Sequence, residues 1–572
     1  MSGAKWRVAM AAAVALAAAI VAVTAGGAAG TREGPRLVGL GGARRLGPLG
    51  ANVVLRLELQ LANPRGAALN RLIAAGKTVS PAKFERQFLP SGNAVSRALA
   101  ALTADGLRPT WTTGSEVVGV DGFAGAIERA FDVELDRYER PDGSTFYAPT
   151  AAPRLRAPLR DVVAEVSGLD DRARLENLSG GSGSDPSSGC GSTNGGYTPS
   201  QVMSAYNFGP LRSESLTGAG QTIVLIEIDT FQQPDLDCFA SQYGLSPPSV
   251  TVMKGPWGTP QNTANSSSGN SEAELDLEIV HSIAPAARLV VYYSDNNSSD
   301  IAAAAQAAVT AHPEGIFSVS IGGCEIENLV GGQPQVTSDQ TVWDDALKRL
   351  ALTKGSAFIA SGDSGAYTCG KNITNSSTGA EVPTVSFPAS DAYATAVGGT
   401  TLFLGSSGQY ESEAAWGGPF EGDGSGGGIS QLWQRPSYQT GPGTTNSYSD
   451  GDREVPDVSA LGDPNTGWSV YTVGSWNVVA GTSAAAPLWA ALTALADQKL
   501  SESGLQPVGF ANPPIYAFGS DPEAWPAKAF NDVTTGENLY YSATAGWDPA
   551  TGWGSPNAAG FVQDMLAYRR QQ

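Results

Sequence analysis

The C-terminal two thirds of this 572-residue chain contain short, continuously apolar runs that are separated by helix-like stretches. Residues 222–226, 289–293 and 356–360 are such runs, and residues 301–310 form an alanine-rich stretch typical of a helix. A strand that is apolar on both faces needs cover on both faces, which α/β proteins supply with helices on each side of a mostly parallel sheet. The pattern therefore predicts an α/β domain, which we place at residues 197–568.

The region before this domain has a different pattern. Residues 53–59 alternate in polarity like a strand, and residues 94–104 resemble a helix. Such a mixture predicts a compact α+β domain at residues 37–171. Gly, Ser and Pro crowd residues 177–189, a composition typical of an accessible segment that proteases cut, so we place a linker at 172–196.

The two regions also differ in charge. Residues 1–185 carry 22 Lys and Arg against 18 Asp and Glu, a net charge of +4, whereas residues 186–572 carry 13 against 37, a net charge of −24. The total of −20 excludes a nucleic-acid-binding protein, because phosphate backbones would be repelled. Charge attraction could hold the first domain on the second and would weaken as carboxylates protonate in acid. Two domains with unrelated surface charge are the alternative.

The first 29 residues predict a secretory signal peptide. Lys5 and Arg7 precede an apolar run at 8–23, and small residues follow at 24–29. An uncleaved membrane anchor is the alternative, although the run is shorter than the ~20 residues that a spanning helix prefers. We therefore expect a secreted protein with no stable membrane insertion once the signal is removed.

Three motifs carry candidate chemistry, and the first is Gly481-Thr-Ser-Ala-Ala-Ala-Pro487. The apolar run that follows predicts a buried helix beginning near Ser483. A serine at a helix N-terminus lies where backbone N–H groups and the helix dipole stabilise negative charge. A serine that only caps the helix is the alternative.

The other two motifs contain acidic residues. Helical spacing places Glu272 and Asp276 on one face of a helix, and Glu274 and Glu278 on another. An ordinary solvated acidic face is the alternative there. Asp363 lies in Ser-Gly-Asp-Ser-Gly directly after a strand-like run, where a turn-stabilising role is the alternative.

Together the three motifs resemble those of the sedolisin family of serine-carboxyl peptidases. Further similar stretches are Ser-Gly-Gly-Gly-Ile-Ser at 425–430, Val-Pro-Asp-Val-Ser-Ala at 455–460 and Gly-Trp-Asp-Pro at 546–549. The resemblance spans residues 197–554, and residues 37–171 resemble the family's activation prodomain more weakly. It implies a subtilisin-like α/β fold preceded by an α+β, ferredoxin-like prodomain.

The resemblance also implies a role for each motif. Ser483 would be the nucleophile, Glu272 its general base and later general acid, and Asp276 the residue that orients Glu272. Asp363 would complete an oxyanion hole with the Ser483 backbone N–H. A carboxyl group can donate to an oxyanion only while protonated, so these roles predict an acidic pH optimum.

Two further positions bear on the hydrogen-bond network around these predicted site residues. Glu227 matches a family glutamate that hydrogen-bonds onward from the catalytic carboxylates. Ile321 follows Ser318-Val-Ser, where relatives usually carry an aromatic residue of that network or of the substrate cleft. The sequence therefore departs from the family in the hydrogen-bond network that extends beyond the catalytic carboxylates.

Near the C-terminus, the chain resembles the family's calcium site. The carboxylates of Asp532 and Asp548 and the backbone carbonyls of Val533, Thr544 and Gly546 would bind one structural ion. All are hard oxygen ligands of the kind that Ca²⁺ prefers. Without the resemblance, these residues would be read as turns.

The chain has only two histidines, which leaves little room for rival mechanisms. His281 lies about 140° around the predicted helix from Asp276, and His312 precedes a proline in a predicted loop. A Ser-His-Asp triad with either residue is the rival mechanism. A Ser-Lys dyad is disfavoured because no lysine is near Ser483 in sequence.

The four cysteines, Cys190, Cys238, Cys324 and Cys369, are too widely spaced for a CxxC metal or redox site. An exported chain can oxidise them to two disulfides in three possible pairings. We favour Cys324–Cys369, which would tie the strand after Ser320 to the Asp363 loop, with Cys190–Cys238 remaining.

The favoured function is a secreted, acid-active endopeptidase that cleaves polypeptides. Its prodomain would act as an intramolecular inhibitor and be released by self-cleavage within residues 172–196, and we expect a monomer. A tripeptidyl exopeptidase of the same family is one alternative. A catalytically silent binding protein that retains the fold is another.

Overall fold

The structure is a computed structural model, and it describes residues 37–38, 42–178, 180–182, 190, 193, 195–260, 272–330, 332–417 and 422–572. The predicted signal peptide lies outside the described residues. Within those residues, no helix combines the length and the apolar character needed to cross a bilayer.

The N-terminal domain and the segment that follows it contain both helices and strands. The helices are α1 (Gly66–Ala74), α2 (Pro81–Phe88), α3 (Gly92–Ala104) and α4 (Ala124–Phe131). The strands are β1 (Leu37–Val38), β2 (Arg44–Pro48), β3 (Val54–Leu61), β4 (Arg108–Thr110), β5 (Val117–Phe123), β6 (Leu135–Glu139), β7 (Thr145–Pro149), β8 (Val163–Ser167), β9 (Glu176–Asn177) and β10 (Gly180–Ser182).

The C-terminal domain has the longer elements. The helices are α5 (Pro199–Ala205), α6 (Gly209–Ser213), α7 (Gln233–Gln242), α8 (Glu272–Ile283), α9 (Ser298–Ala311), α10 (Ser338–Leu352), α11 (Thr482–Glu502), α12 (Asn512–Ser520) and α13 (Ala558–Arg570). The strands are β11 (Thr222–Glu227), β12 (Val250–Lys254), β13 (Arg288–Tyr293), β14 (Ile316–Val319), β15 (Ile321–Cys324), β16 (Leu329–Val330), β17 (Gln333–Pro334), β18 (Ser356–Ala360), β19 (Thr374–Asn375), β20 (Ser386–Phe387), β21 (Thr395–Leu404), β22 (Tyr410–Ala415), β23 (Gly428–Gln434), β24 (Asp452–Val455), β25 (Val458–Leu461), β26 (Trp468–Thr472), β27 (Ser475–Ala480), β28 (Phe530–Asn531) and β29 (Ser555–Pro556).

A four-stranded antiparallel sheet in the order β4-β5-β3-β8 forms the core of the N-terminal domain. Numbered along the chain, this order is 2-3-1-4, the arrangement of a ferredoxin-like fold. Leu57 pairs with Val120 and Leu59 with Val118, and all four side chains are buried in one apolar cluster. The predicted α+β, ferredoxin-like domain is confirmed.

The C-terminal domain is built on an eight-stranded sheet in the order β12-β13-β11-β14-β18-β21-β22, with β25 also paired to β21. All pairs are parallel except β21 with β22. Along β11, Ile223 and Leu225 join the apolar cluster that contains α8 and α11, whereas Val224 and Ile226 join the cluster of α9 and α10. Both faces of the sheet are covered, which confirms the predicted α/β domain.

The candidate chemistry lies at the carboxyl end of this sheet. Glu227 ends β11, Ser320 directly follows β14, and Asp363 follows β18. Helices α8 and α11 both begin at this edge, since Glu272 and Thr482 are their first residues. In open parallel sheets this edge is where ligands bind.

Both favoured disulfides are present. Cys324 in β15 is bonded to Cys369, and Cys190 is bonded to Cys238 in α7. The first bond ties the strand after Ser320 to the segment that follows Asp363, as predicted.

The domains contact each other through a buried ion pair whose polarity opposes the net charges. Glu116, from the acid-poor N-terminal domain, accepts from Arg349 Nη1 of the acidic domain at 3.3 Å and from Gln306 Nε2 at 2.9 Å. The Arg349 guanidinium also lies over the Phe84 ring at 4.9 Å. Arg349 is fully buried, so the partners that pair its charge all come from this interface.

Three carboxyl groups near the interface are buried. Burial raises the pKa of Glu58 and of Asp345 to about 7 and that of Asp339 to about 6. A group whose pKa is raised in the folded chain stabilises the fold below its ordinary pKa of about 4, and this stabilisation is lost as the pH rises through about 6–7. These groups therefore add stability to the folded chain in acid. The expectation that acid loosens the N-terminal domain by weakening charge attraction stays a prediction.

The Glu116–Arg349 pair gives a direct test of the interface. Glu116→Ala leaves a buried guanidinium without its carboxylate, so we expect the free energy of unfolding to fall by about 3–5 kcal/mol. Urea denaturation of the full-length chain measures it, with Ser483→Ala in both variants so that the self-cleavage expected from the family resemblance does not interfere. Glu85→Ala is the matched control, since Glu85 is 43% exposed and 4.0 Å from Arg349, and it should cost less than about 1 kcal/mol. Equal effects of the two substitutions would contradict the account.

Candidate active site

Ser483 lies at the start of α11 and is fully buried. The turn before it depends on Gly481, whose φ of +109° is strained for any other residue. The Ser483 backbone N–H donates to the carbonyl oxygen of Leu178 at 3.3 Å, and the hydroxyl donates to the same oxygen. The hydroxyl also lies 3.3 Å from the Ser320 carbonyl oxygen. Ser483 is thus more than a helix cap, because both of its hydrogen-bond donors point at a peptide carbonyl.

The acidic helix α8 is buried along its whole length. The exposed fractions of Glu272, Glu274, Asp276 and Glu278 are between 0 and 1%. The alternative of a solvated acidic face is therefore wrong. Burial of this many carboxyl groups is costly unless they are neutral or hydrogen-bonded, and such sites are often functional.

Asp229 holds the N-terminus of α8. Its two carboxylate oxygens accept from the backbone N–H groups of Glu272 at 2.8 Å and Ala273 at 3.0 Å. Asn177 also donates to Asp229 at 3.3 Å. This capping fixes the position of Glu272, since the first turn of the helix cannot rotate without breaking both bonds.

Asp276 is linked to Ser483 through Ser320. The Ser320 hydroxyl lies 2.7 Å from Asp276 Oδ2 and 3.3 Å from the Ser483 carbonyl oxygen. Burial raises the pKa of Asp276 well above its ordinary value, while the hydrogen bond from Ser320 lowers it and the nearby charge of Asp229 raises it by smaller amounts. This environment favours the neutral form of Asp276.

Glu227 lies in the same carboxyl cluster but differs from its prediction. Neither of its carboxyl oxygens has a hydrogen-bond partner among the described residues. Burial raises the pKa of Glu227 well above its ordinary value. The negative charges of the neighbouring Asp276, Asp229 and Glu272 raise it further. The predicted onward hydrogen bond is therefore absent within the described part of the chain, and Glu227 acts on the cluster through charge and protonation.

Ile321 gives a physical reason for the missing bond. Its side chain is fully buried in the apolar cluster of α9 and α10, on the sheet face opposite α8 and α11. An isoleucine offers no polar atom, so the extended network that the family resemblance implied is not built through this position.

Asp363 is positioned by Thr482, the residue before Ser483. Its Oδ1 accepts from Thr482 N at 2.8 Å and from Thr482 Oγ1 at 2.9 Å. Oδ2 has no hydrogen-bond partner among the described residues, so it can carry a proton and donate it. Burial raises the pKa of Asp363 to about 7, which keeps the carboxyl group protonated in acid. The Thr482 and Ser483 amides are adjacent, so Asp363 and the Ser483 N–H border one site.

Glu274 and Glu278 hold the hairpin that leads to Ser483. Glu274 accepts from Gln232 N at 2.8 Å and from Val473 N at 3.0 Å, and Glu278 accepts from Tyr471 N at 2.9 Å. These bonds connect α8 to the β26–β27 hairpin, whose second strand ends three residues before Ser483. The second acidic face of α8 is therefore structural.

The segment after the N-terminal domain lies in the cleft as an extended chain. Strand β9 pairs antiparallel with β15, and β10 pairs antiparallel with β27. Between them, Leu178 N donates to the Ser320 carbonyl at 3.1 Å. The chain therefore passes directly over Ser483, with backbone pairing on both sides of it.

The two histidines have other partners. His281 Nε2 is 2.7 Å from the Ser246 carbonyl oxygen, and burial lowers the pKa of His281. His312 ends α9 and packs edge-on against the ring of Tyr292. The rival Ser-His-Asp triad is unsupported.

The predicted calcium ligands lie around one loop. Asp532 Oδ2 accepts from Gly546 N at 3.0 Å, and Asp548 Oδ2 accepts from Thr544 N at 2.9 Å. Burial raises the pKa of Asp548 to about 7, and no cationic side chain opposes that shift. Within the described residues there is no cluster of three or more His, Cys, Asp or Glu that could hold a metal. The oxygen-only donor set fits a hard cation if backbone carbonyls, including that of Val533, complete it.

Three residues of the site were not predicted from the sequence. Asp229 was detectable, because it follows Glu227 by two residues at the end of a strand and so points to the same side. Ser320 and Leu178 contribute through backbone carbonyls and a bridging hydroxyl, which leave no signal in the sequence.

The arrangement suits acyl transfer in acid. A buried serine donates from its amide and its hydroxyl to a peptide carbonyl oxygen, a protonatable carboxyl group is hydrogen-bonded to the preceding residue, and buried carboxyl groups rather than histidines lie at this edge of the sheet.

Comparison with known proteins agrees with this chemistry. Residues 42–172 match the family described as "Pro-kumamolisin, activation domain", and residues 258–510 match the subtilase family. The chain is 33% identical to kumamolisin of Bacillus sp. (strain MN-32), covering 78% of each chain, and 30% identical to sedolisin of Pseudomonas sp. (strain 101), covering 85% of this chain and 81% of sedolisin. A solved structure of Pseudomonas sedolisin, a serine-carboxyl proteinase complexed with pseudo-iodotyrostatin, superposes with a TM-score of 0.52 at 28% identity, covering 67% of this chain and all of that one.

Asp363 gives the sharpest test of the site. We expect Asp363→Ala to lower kcat for peptide hydrolysis by about 10²–10³-fold with little change in KM, as for the loss of one oxyanion donor. In the unmodified protein, activity should fall as the pH rises through about 7, because Asp363 loses its proton there. Asp363→Asn keeps a donor at every pH, so any activity it retains should lack this decline. Unchanged pH profiles in both variants would contradict the role.

Proposed function

Because the chain belongs to the sedolisin family of serine-carboxyl peptidases and carries their activation prodomain, we propose that it is a secreted, acid-active endopeptidase made as a self-processing zymogen. The observation that carries the proposal is the contact of both Ser483 donors with the Leu178 carbonyl, beside a buried carboxyl cluster. The segment that delivers Leu178 is the linker between the prodomain and the peptidase domain.

In the proposed mechanism, Ser483 Oγ attacks the carbonyl carbon of a bound peptide. Glu272 takes the serine proton and gives it to the leaving amine, while Asp276 orients Glu272. The Ser483 N–H and a protonated Asp363 hold the oxyanion. Water then hydrolyses the acyl-enzyme, again with Glu272 as the base.

The zymogen holds the nucleophile in an unreactive orientation. The Ser483 hydroxyl donates to carbonyl oxygens rather than to a carboxylate. Attack requires the hydroxyl hydrogen to turn toward Glu272. The hydrogen bond from the Ser483 hydroxyl to the Leu178 carbonyl oxygen must therefore break before attack.

The acidic optimum follows from two groups of carboxyls. Asp363 must be protonated to donate, and the raised pKa values of Asp276 and Glu227 keep the cluster from collecting adjacent negative charges. Burial raises the pKa of Asp363 to about 7, so the alkaline limit of activity should lie near neutral pH rather than near pH 4 to 5, where a free carboxyl ionises.

The path of the linker favours an endopeptidase over a tripeptidyl exopeptidase. An enzyme that removes tripeptides needs a cleft that closes three residues before the scissile bond. Here the chain continues past that point, with Leu175 N donating to the Asn296 carbonyl at 3.2 Å and Arg174 bridged to Asn297. These contacts support the endopeptidase proposal, with a tripeptidyl exopeptidase as the alternative. A silent binding protein is disfavoured because Ser483, Glu272, Asp276 and Asp363 are all present and gathered at one edge of the sheet.

Three further parts of the proposal rest on separate observations. The predicted signal at residues 1–29 and two disulfides suit an oxidising, extracellular environment. A calcium ion at Asp532 and Asp548 would neutralise two carboxylates that lack a cationic partner in the described structure and would stabilise the C-terminal loop. We propose a monomer, with the prodomain as the inhibitor bound within the same chain.

Acidifying the purified proenzyme and its Ser483→Ala variant tests the proposed function. We expect the unmodified chain to shorten by the mass of its prodomain and then to cut an unfolded protein at internal bonds, while the variant stays full length. Mass spectrometry of the products separates internal fragments from tripeptides. The peptidase proposal fails if neither protein shortens or cuts the substrate, and the endopeptidase proposal fails if only tripeptides appear.

Chelation tests the calcium site. A ligand present at about 100 times its Kd stabilises the folded state by about 2.7 kcal/mol, so EGTA should lower the melting temperature by several degrees and added Ca²⁺ should restore it. The Asp532→Ala variant is the control and should not respond to either treatment. Identical melting of the unmodified protein with and without EGTA would rule the site out.

A further inference from the structure

The linker places one particular peptide bond on the nucleophile. Leu178 O accepts from both Ser483 donors, and Leu178 N donates to Ser320 O at 3.1 Å. On its N-terminal side, Ile321 pairs with Asn177 and Gly322 with Glu176. These contacts fix the register of the chain, and a shift by one residue would turn the Leu178 carbonyl away from Ser483.

The Leu178 side chain lies beside Gly322, which has no side chain of its own. A Cβ placed on Gly322 would lie 3.0 Å from Leu178 Cδ1 and would collide with Ser386 Oγ. A Cβ on Gly362, at φ +109°, would lie 3.4 Å from Ser386 Cβ and 3.5 Å from Thr368 Oγ1. A Cβ at either glycine would reach Ser386, and the absence of a side chain at Gly322 leaves room for Leu178.

This space has apolar and neutral surroundings. Leu178 packs against the large apolar cluster of α8 and α11. The hydroxyls of Ser386 and Thr368 are buried and have no hydrogen-bond partner among the described residues. Neither carries a positive charge, so an aspartate at this half-buried position would lose part of its hydration without a compensating partner in these two side chains.

We propose that the activating cleavage is at the peptide bond on the carboxyl side of Leu178, and that the space beside Gly322 and Ser386 selects a leucine-sized aliphatic side chain there. The inference rests on the proposed peptidase function. It adds the bond that is cut first and the substrate preference of the mature enzyme, which should favour leucine immediately before the scissile bond.

The proposed cleavage is the hydrolysis of one peptide bond and needs no reactant other than water. Ser483 Oγ bonds to the Leu178 carbonyl carbon, the bond from that carbon to the next amide nitrogen breaks, and Glu272 carries the serine proton to that nitrogen. Water then releases Leu178 as a carboxylic acid and restores Ser483. The products are the chain that ends at Leu178 and the chain that begins at Ser179.

The disulfides allow these products to separate. All four cysteines follow residue 178, and they pair only with one another. The prodomain therefore keeps no covalent link to the peptidase domain after this cut. Cleavage removes the covalent link, which acid alone would leave intact.

A time course of acid activation, with N-terminal sequencing and intact mass, tests the proposal on the full-length chain. The first new N-terminus should be Ser179, and its appearance should follow first-order kinetics independent of protein concentration. Leu178→Asp should slow this cut about tenfold or more. Glu176→Ala is the matched control, since Glu176 is exposed two residues earlier, and it should cleave at the unmodified rate.

A second measurement does not depend on the folding of any variant. The mature enzyme is given two peptides that differ only in leucine or aspartate before one bond, and the leucine peptide should be cut at least about tenfold faster. A different first N-terminus, normal processing of Leu178→Asp, or equal cutting of the two peptides would overturn the inference while leaving a working peptidase. Failure of the unmodified chain to cleave itself and any substrate would instead defeat the proposed function.

Discussion

Burial of the acidic helix α8 is the constraint on which the rest of the structure depends. Four carboxyl groups within seven residues are removed from water, and burial raises the pKa of Glu274, Asp276 and Glu278 well above their ordinary values. Such a helix is stable only if its acids are neutral or accept hydrogen bonds. Asp229 caps its N-terminus, and the hairpin β26–β27 satisfies its other face.

These same bonds assemble the candidate active site. The cap on α8 fixes the start of the helix where Glu272 lies, the hairpin carries the chain into the Gly481 turn, and Ser320 joins Asp276 to the backbone of Ser483. Stability and chemistry are therefore coupled. A carboxyl cluster that is tolerated only when largely protonated is also one that can transfer protons in acid.

The linker and the interface together bear on how the proposed zymogen would respond to acid. The linker already lies across Ser483 with backbone pairing on both sides. Burial raises the pKa values of Glu58, Asp339 and Asp345, so these groups add stability to the folded chain at low pH. Under the proposed function, acid would protonate Asp363 while the folded chain keeps the linker in place, and the prodomain would leave after the bond is cut.

Much of this could be predicted from the sequence. Doubly apolar runs such as 222–226 predicted the parallel sheet, and the motifs located Ser483, Glu272, Asp276 and Asp363. What could not be predicted were features set by tertiary contacts. Net charge suggested attraction between domains, but Glu116 and Arg349 pair with the opposite polarity because burial of each group depends on its three-dimensional neighbours.

Two further features are also set by tertiary contacts. The Glu227 carboxyl oxygens have no hydrogen-bond partner among the described residues, and the Leu178 carbonyl lies against Ser483. Ile321 indicated that the network departs from the family, but only the structure places its side chain on the opposite face of the sheet. Backbone carbonyls have no sequence signature, so the contact of Leu178 with Ser483 required the fold.

The most direct test of the central claim is the titration of the buried carboxyls themselves. In the Ser483→Ala protein labelled with ¹³C at Asp and Glu side-chain carboxyls, NMR would follow each carboxyl resonance with pH, and Asp276→Asn and Glu227→Gln would assign the two central groups. The account predicts that the resonances of Asp276 and Glu227 titrate well above the ordinary range near pH 4. Titration of both groups within that ordinary range would contradict it.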